Sequence, residues 1–314
     1  TVAGYTVSNT TTGSLPNDNK VLITLDESGS ADTDATPNVV LVDAKISDSA
    51  GNSLSSDQTF TVTTDGAAPI IIAANILDDD DNGQIDQILV TLSEAINDGG
   101  STLDNTTFTV AGYTVSNTTT GSLANDNKVL ITLTESGSAD TDATPDVVLV
   151  AAKISDGANA LSSNQPVFNG ASNAAPPAIS AANTLDSDND GQIDQVLVTL
   201  SETIADGSST LDNTTFTVAG YTVSGTTTGA SANDNKVLIT LTESGSADTD
   251  AIPNVILVAA KISDGANALA SNQTFSGTTD GAAPAISEAQ TLDDDKDGQI
   301  DQILVTLSEA INDG

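Results

Sequence analysis

Short apolar residues alternate with Thr and other polar residues along much of this chain. In the window 68–175 the alternation falls into six segments. They are "IIIAANIL" (Ile70–Leu77), "QIDQILVTLSEAI" (Gln84–Ile96), "TFTVAGYTV" (Thr107–Val115), "KVLITLTE" (Lys128–Glu135), "DVVLVAAKIS" (Asp146–Ser155) and "QPVFNG" (Gln165–Gly170). Each is short and rich in Val, Ile and Thr, and turn residues such as "NDN" and "DGAN" separate them. A period of two sends successive side chains to opposite faces of a strand. No segment carries a long 3.6-residue apolar period. The pattern therefore predicts an all-β chain, with six or seven short strands per window in a Greek-key β-sandwich. Aromatics are only 3% of the residues, so the core is expected to be aliphatic. Phe108, Phe168, Phe216 and Phe275 are the larger candidate fillers. Tyr5, Tyr113 and Tyr221 recur once per window. They are expected to be structural, tied by their hydroxyls, since isolated aromatics make poor sugar platforms.

The pattern repeats. "TVAGYTVS" begins at Thr1, Thr109 and Thr217, a spacing of 108 each time. "DNKVLITL" begins at Asp18, Asp126 and Asp234, and "AKISD" at Ala44, Ala152 and Ala260. A period of this length is a whole small domain. Segments rich in Gly, Ala, Ser, Thr and Pro precede an apolar run at Thr63–Pro69, Asn169–Pro177 and Gly277–Pro284, and read as linkers. The expected organisation is a partial repeat at 1–67, complete repeats at 68–175 and 176–282, and a partial repeat at 283–314. The chain opens and closes in mid-pattern, as expected of a window on a longer tandem array.

Charge sharpens the picture. The chain has 44 acidic residues against seven basic ones, a formal net charge of -37. Such a balance argues against nucleic acid or an anionic membrane surface as partner. It points to cations or to high salt. Of the acids, 37 are Asp and seven are Glu. Salt adaptation can use either, whereas short loop-seated oxygen ligands for a hard cation favour Asp. Cys is absent, which removes disulfides, thiolate metal sites and thiol catalysis. A metal can staple a domain that lacks disulfides. No apolar run is long enough to span a bilayer, and no direct membrane insertion is expected.

The acids are concentrated in "LDDDDNGQIDQILVTLSE" (Leu77–Glu94), which returns from Leu185 and from Leu292. Oxygen-bearing side chains stand at loop positions 1, 3, 5, 7 and 9, with Gly at position 6. The residues are Asp78, Asp80, Asn82, Gln84 and Asp86, then Asp186, Asp188, Asp190, Gln192 and Asp194, then Asp293, Asp295, Asp297, Gln299 and Asp301. That is the ligand order of an EF-hand calcium loop, with position 7 offering its backbone carbonyl. Positions 2 and 4 vary among the copies, as outward-facing positions would. Position 12 departs from the EF-hand: it is Leu89, Leu197 or Leu304 in place of a bidentate Glu. The missing oxygens must come from water or from another loop. The best donor is "ESGSADTDATP" (Glu135–Pro145) and its copies, with Asp32, Asp34, Asp140, Asp142, Asp248 and Asp250 as possible additional ligands. The expected cofactor is Ca²⁺, held at the pole of the domain that faces the next repeat.

Other candidates carry less. Asn9, Asn105, Asn117, Asn213 and Asn272 stand in glycosylation triplets. Glu94, Glu202 and Glu309 close "LSE" and could serve as glycosidase carboxylates, although a solvent or calcium-adjacent role fits better. His and Arg are absent along with Cys. No enzyme is expected.

The run "LVTLSEAI…TFTVAGYTV…KVLITLTE…VVLVAAKISD" resembles the bacterial Ig-like tandem repeats of surface proteins and large secreted adhesins. Leu92-Ser93-Glu94 and the turn Ile46-Ser47-Asp48-Ser49-Ala50-Gly51-Asn52 are its most characteristic elements. The acidic loop is similar to those of dockerins and thrombospondin type 3 repeats, but lacks their Asp at position 12. The resemblance implies an elongated array of Ig-like sandwiches at the cell surface or outside the cell. It further implies a non-catalytic stalk, fibre or sheath stiffened by calcium, with neighbouring repeats, and other copies in a filament or surface layer, as partners. The alternative is a calcium-dependent module that binds carbohydrate or another surface ligand.

Overall fold

The computed structural model of the chain describes residues 1–13, 15–98, 103–206 and 211–312. Among them every regular element is a β-strand, and no helix is long and apolar enough to cross a membrane. Contacts divide the chain into two compact units. One comprises Thr1–Ala74, Leu89–Thr132 and Pro145–Ala171, and the other Asn75–Ile88, Leu133–Thr144 and Ser172–Gly314. The units do not follow the 108-residue period, because the 68–175 repeat contributes to both. The 176–282 repeat lies wholly in the second unit and displays the architecture best.

Its strands are β1 (Ile179–Leu185), β2 (Gln195–Leu200), β3 (Phe216–Val218), β4 (Thr222–Thr228), β5 (Lys236–Thr242), β6 (Val255–Leu257) and β7 (Gln273–Phe275). They form two antiparallel sheets, ordered β1-β2-β5-β4 and β3-β6-β7. The period of two explains the packing. In β2 it buries Val196, Val198 and Leu200, and in β5 Val237, Ile239 and Leu241, while the intervening residues stay partly exposed. Phe216, Val218, Val255 and Leu257 from the second sheet join them in one core. The sequence segment expected as a single strand through "TVAGYTV" divides in two. Gly220 takes a left-handed φ of 85°, and the Tyr221 N–H donates to the Val218 carbonyl at 3.1 Å. That turn lets β3 and β4 enter different sheets, a conformation natural to glycine. Gly112 repeats it with φ 82°.

The first unit contains the hairpin Val7–Thr12 with Val21–Leu25 and the pairs Val39–Leu41 with Gln58–Phe60 and Phe108–Val110 with Val147–Leu149. Phe108, Val147 and Leu149 are fully buried. The tail of the 68–175 repeat departs from expectation, whereas its counterparts Gln58–Phe60 and Gln273–Phe275 are strands. Gln165–Gly170 is no strand: Phe168 alone bridges Val147, exchanging two hydrogen bonds of 2.9 Å. Phe168 and Phe275 are half-buried, unlike Phe108 and Phe216.

The segment read as a linker is pinned instead. Ala171–Asn173 is a strand, the Ala174 N–H donates to the Ile76 carbonyl at 3.0 Å, and Ser172 Oγ donates to Asn75 Oδ1 at 2.9 Å. One copy later, the Thr279 N–H donates to the Ala182 carbonyl at 2.8 Å. Small residues let this segment lie along the edge of the first strand, where its backbone groups find partners.

Candidate metal centre

The acidic loop joins the first two strands of each repeat, and its first and ninth residues close it. Asp78 Oδ1 accepts from the Asn82 N–H at 3.1 Å, and Oδ2 from the Gly83 N–H at 2.7 Å. Asp186 accepts from Asp190 and Gly191 at 3.3 and 2.8 Å, and Asp293 from Asp297 and Gly298 at 3.2 and 2.9 Å. At the far side, Asp86 Oδ1 accepts from the Asp79 N–H at 3.0 Å, Asp194 from Ser187 at 2.9 Å and Asp301 from Asp294 at 3.0 Å. Position 4 is left-handed in every copy, at Asp81 (φ 57°), Asn189 (60°) and Lys296 (60°), and so is the glycine at position 6. Three different residue types thus adopt one conformation at position 4, as a loop held by its flanking carboxylates would require.

These hydrogen bonds leave several oxygens converging. Asp186, Asp188 and Asp190 each place one carboxylate oxygen within 4.8 Å of the others, as do Asp293, Asp295 and Asp297. In the first loop the converging set is Asp80, Asp86 and Glu135. Two oxygens on one calcium ion can be at most about 5 Å apart, so each set fits a single hard cation. Gln84 and Gln192 each bury a side-chain oxygen without a hydrogen-bond partner. Gln192 Nε2 donates to Asp190 Oδ2 at 3.1 Å and Gln299 Nε2 to Asp297 Oδ2 at 2.8 Å. Burial pushes the Asp78 carboxyl up to about 7, against the pull of the Gly83 and Asn82 N–H groups. Burial also raises Asp86. A divalent cation would hold both ionised.

The segment "ESGSADTDATP" does approach the loop, with its leading glutamate nearest the ligand sets. Asn82 Nδ2 donates to Glu135 Oε1 at 2.9 Å. The counterpart Glu243 is raised by the negative charge of Asp190 first, then by desolvation and the charges of Asp188, Asp194 and Asp186. Asp140 and Asp248 brace the loop from the side. Their Oδ1 atoms accept from Ile85 and Ile193 N–H at 2.8 Å, and their own N–H groups donate to Gly83 and Gly191 carbonyls at 3.0 Å. Asp248 Oδ2 also accepts from Tyr221 Oη at 2.8 Å, and Asp32 Oδ2 from Tyr5 Oη at 2.7 Å. Tyr5 and Tyr221 are therefore tied by their hydroxyls. Asp34 and Asp250 lie close enough to Tyr5 and Tyr221 to help raise their pKa, behind hydrogen bonding for Tyr5 and burial for Tyr221. Asp142 faces Glu202 of the following repeat.

Consecutive repeats meet at this pole. Thr33 Oγ1 donates to Ser93 Oγ, Thr141 to Ser201 and Thr249 to Ser308, each at 2.7 Å. The serine oxygen in turn accepts from Ile70, Ala178 and Ala285 N–H at 3.1, 3.0 and 2.9 Å. A Cβ on Gly83 would stand 3.2 Å from Ser201 Cβ, and one on Gly191 3.3 Å from Ser308 Cβ. The loop glycine is thus required twice, for its φ and for the close approach of the next repeat. The sequence reading missed these Thr–Ser pairs. Their signal was the recurrence of "DTDA" and "LSE" in copies that differ elsewhere.

A second set of carboxylates lies beside the same serine. Asp65, Glu94 and Asp156 each place an oxygen within 4.8 Å of the others, and Glu94 is 5% exposed. Asp156 is well supplied with donors: Oδ1 accepts from Ala158 and Asn159 N–H at 2.7 and 2.6 Å, and Oδ2 from Asn159 Nδ2 at 2.8 Å. These lower its pKa, with the Asn159 N–H foremost. Burial raises Glu94. Asp65 and Asp156 were not singled out in the sequence, because they lie in a segment read as linker and in an ordinary turn.

No protein-family model matches the chain, and no curated protein matches it in sequence.

Proposed function

We propose that the chain is a non-catalytic structural array of tandem Ig-like Greek-key sandwiches whose acidic loops bind calcium and thereby fix each repeat against the next. The setting that suits such an array is a stalk or fibre of an extracellular or cell-surface protein, assembled with its own neighbouring repeats and, in a filament or surface layer, with other copies. The observation that carries this reading is the close packing of the acidic-loop glycine on the following repeat at Ser201 and Ser308. A cation in the loop would stiffen the surface on which the neighbour docks. Without it, like charges would spread the loop and loosen that surface. The pinned interrepeat segment supports the same reading, since it leaves few free torsions between repeats. The carbohydrate-binding alternative has weaker support, because Tyr5 and Tyr221 are engaged with Asp32 and Asp248.

Small-angle scattering and thermal melting of the chain, in millimolar calcium and then in excess chelator, test the proposal. A longer, stiffer particle that melts higher in calcium is expected. No change in either property would leave the Asp clusters as solvated charge and overturn it.

A further inference from the structure

The acidic loops do not use the carboxylates beside the seam serines. Around Ser93 these are Asp65, Glu94 and Asp156. Glu94 is nearly sealed from solvent, and its Oε1, like that of Glu202 and Glu309 in the later copies, is buried without a hydrogen-bond partner. An unpartnered buried carboxylate oxygen costs on the order of 1–3 kcal/mol or more. It is the kind of group that a bound cation satisfies.

The next copy offers an internal comparison. Position 65 becomes Asn173, Glu94 becomes Glu202 and Asp156 becomes Asp264. Asn173 Nδ2 donates to Glu202 Oε2 at 3.0 Å and lies 3.4 Å from Asp264 Oδ2. A neutral amide N–H thus bridges the same two carboxylates that Asp65 approaches with a third negative charge. Three converging carboxylates in place of two bridged by a donor repel one another unless a cation, or a proton shared through Asp65, joins them. No lysine salt bridge reaches the set: the ion pairs among the described residues are Lys153–Asp104 and Lys261–Asp212.

The geometry points to a second class of cation site at the repeat seam, in which Asp65, Glu94 and Asp156 hold one divalent, oxygen-preferring cation, while in the following seam Asn173 stands in place of the third carboxylate and donates to Glu202 and Asp264. This inference deepens the structural reading but uses different residues from the acidic loops. The array would then carry two kinds of clasp, one metal-dependent and one built from an amide.

Equilibrium dialysis of the full chain against calcium, repeated with magnesium, tests it with three variants. Asp65→Asn is expected to fold, because Asn occupies that position in the next copy, and to bind one ion fewer per chain. Asn173→Asp is expected to bind one more. A loop variant carrying Asp80→Asn, Asp188→Asn and Asp295→Asn should retain one ion that Asp65→Asn then removes. If Asp65→Asn binds as many ions as the parent, or Asn173→Asp adds none, the seam site is overturned. A loop variant that binds no ion also overturns it, while leaving the loop reading intact. A loop variant that binds as many ions as the parent, including one removed by Asp65→Asn, keeps the seam site and overturns the loop reading.

Discussion

The seams built on Glu94 and on Glu202 share the threonine–serine latch, the buried glutamate and the aspartate of the "SDGAN" turn. They differ where Asp65 is replaced by Asn173. In the first seam a third carboxylate joins the set, and in the second an amide donates into it. The difference teaches that a near-identical repeat can surround the same buried glutamate in two ways, with a third carboxylate or with an amide donor. On the inference above, a cation would compensate the first set according to its concentration, whereas the amide donates into the second set whether or not calcium is present. A change at one position would then alter which seams respond to calcium.

The largest expected effect comes from removing calcium altogether. A site saturated a thousandfold above its Kd contributes about 4 kcal/mol, so chelation should lower the melting temperature markedly. Asp65→Asn should narrow the gap between melts with and without calcium, and Asn173→Asp should widen it, which differential scanning calorimetry can read.

Next in size is the loop glycine. Gly83→Ala must accept a φ of 92° and a Cβ 3.2 Å from Ser201, whereas Gly298→Ala must accept only a φ of 90°, with no atom within 4 Å of its Cβ. The strain of a left-handed φ alone is roughly 1–2 kcal/mol. Gly83→Ala should therefore cost more than Gly298→Ala in chemical denaturation, and equal costs would deny the close packing at the seam.

A pH titration separates the amide-bridged seam from the rest. Burial, foremost, pushes the Glu202 carboxyl up to about 7. In the unfolded chain a glutamate titrates near ~4.3. Between these values the folded state holds more protons than the unfolded state, so this group makes stability fall as pH rises through the window. In chelator, Glu202→Gln should remove roughly 1–2 kcal/mol of that decline after allowance for solvent screening. Denaturant midpoints at pH 5 and pH 7.5 measure it. A parent and variant with parallel profiles would show that Glu202 is ionised throughout.

The smallest effect is expected at the latch. Thr141 is fully buried, whereas Thr33 is only half-buried. Thr141→Val should cost about 1 kcal/mol, the net worth of a typical hydrogen bond, and Thr33→Val less. Hydrogen exchange at the Ser201 and Ser93 amides would rank them.

Much of the strand pattern was legible beforehand. Alternation located the strands that frame the loop, and the spacing of Asp, Asn and Gly located the loop itself. Both signals are local, because neighbouring residues in a strand or turn must satisfy the same short stretch of backbone. The seam was not legible. Thr141 and Ser201 lie 60 residues apart, and Thr249 and Ser308 lie 59 apart. The tail of the 68–175 repeat was misread because Ala, Ser and Asn have weak strand preference, and only a waiting edge makes Ala171–Asn173 pair.

The octapeptide "DNKVLITL" marks the boundary between the two kinds of information. It occurs three times unchanged and forms a strand each time, so its conformation is set by its own alternation. Its burial is not. Val129 and Val237 are fully buried, whereas Val21 is 49% exposed in a hairpin that pairs only with itself. The sequence determined where most strands form and where the acidic loops lie, because both follow from spacing along the backbone. The tertiary structure decided which strand faces become core and which carboxylates meet, because those depend on partners brought from distant parts of the chain.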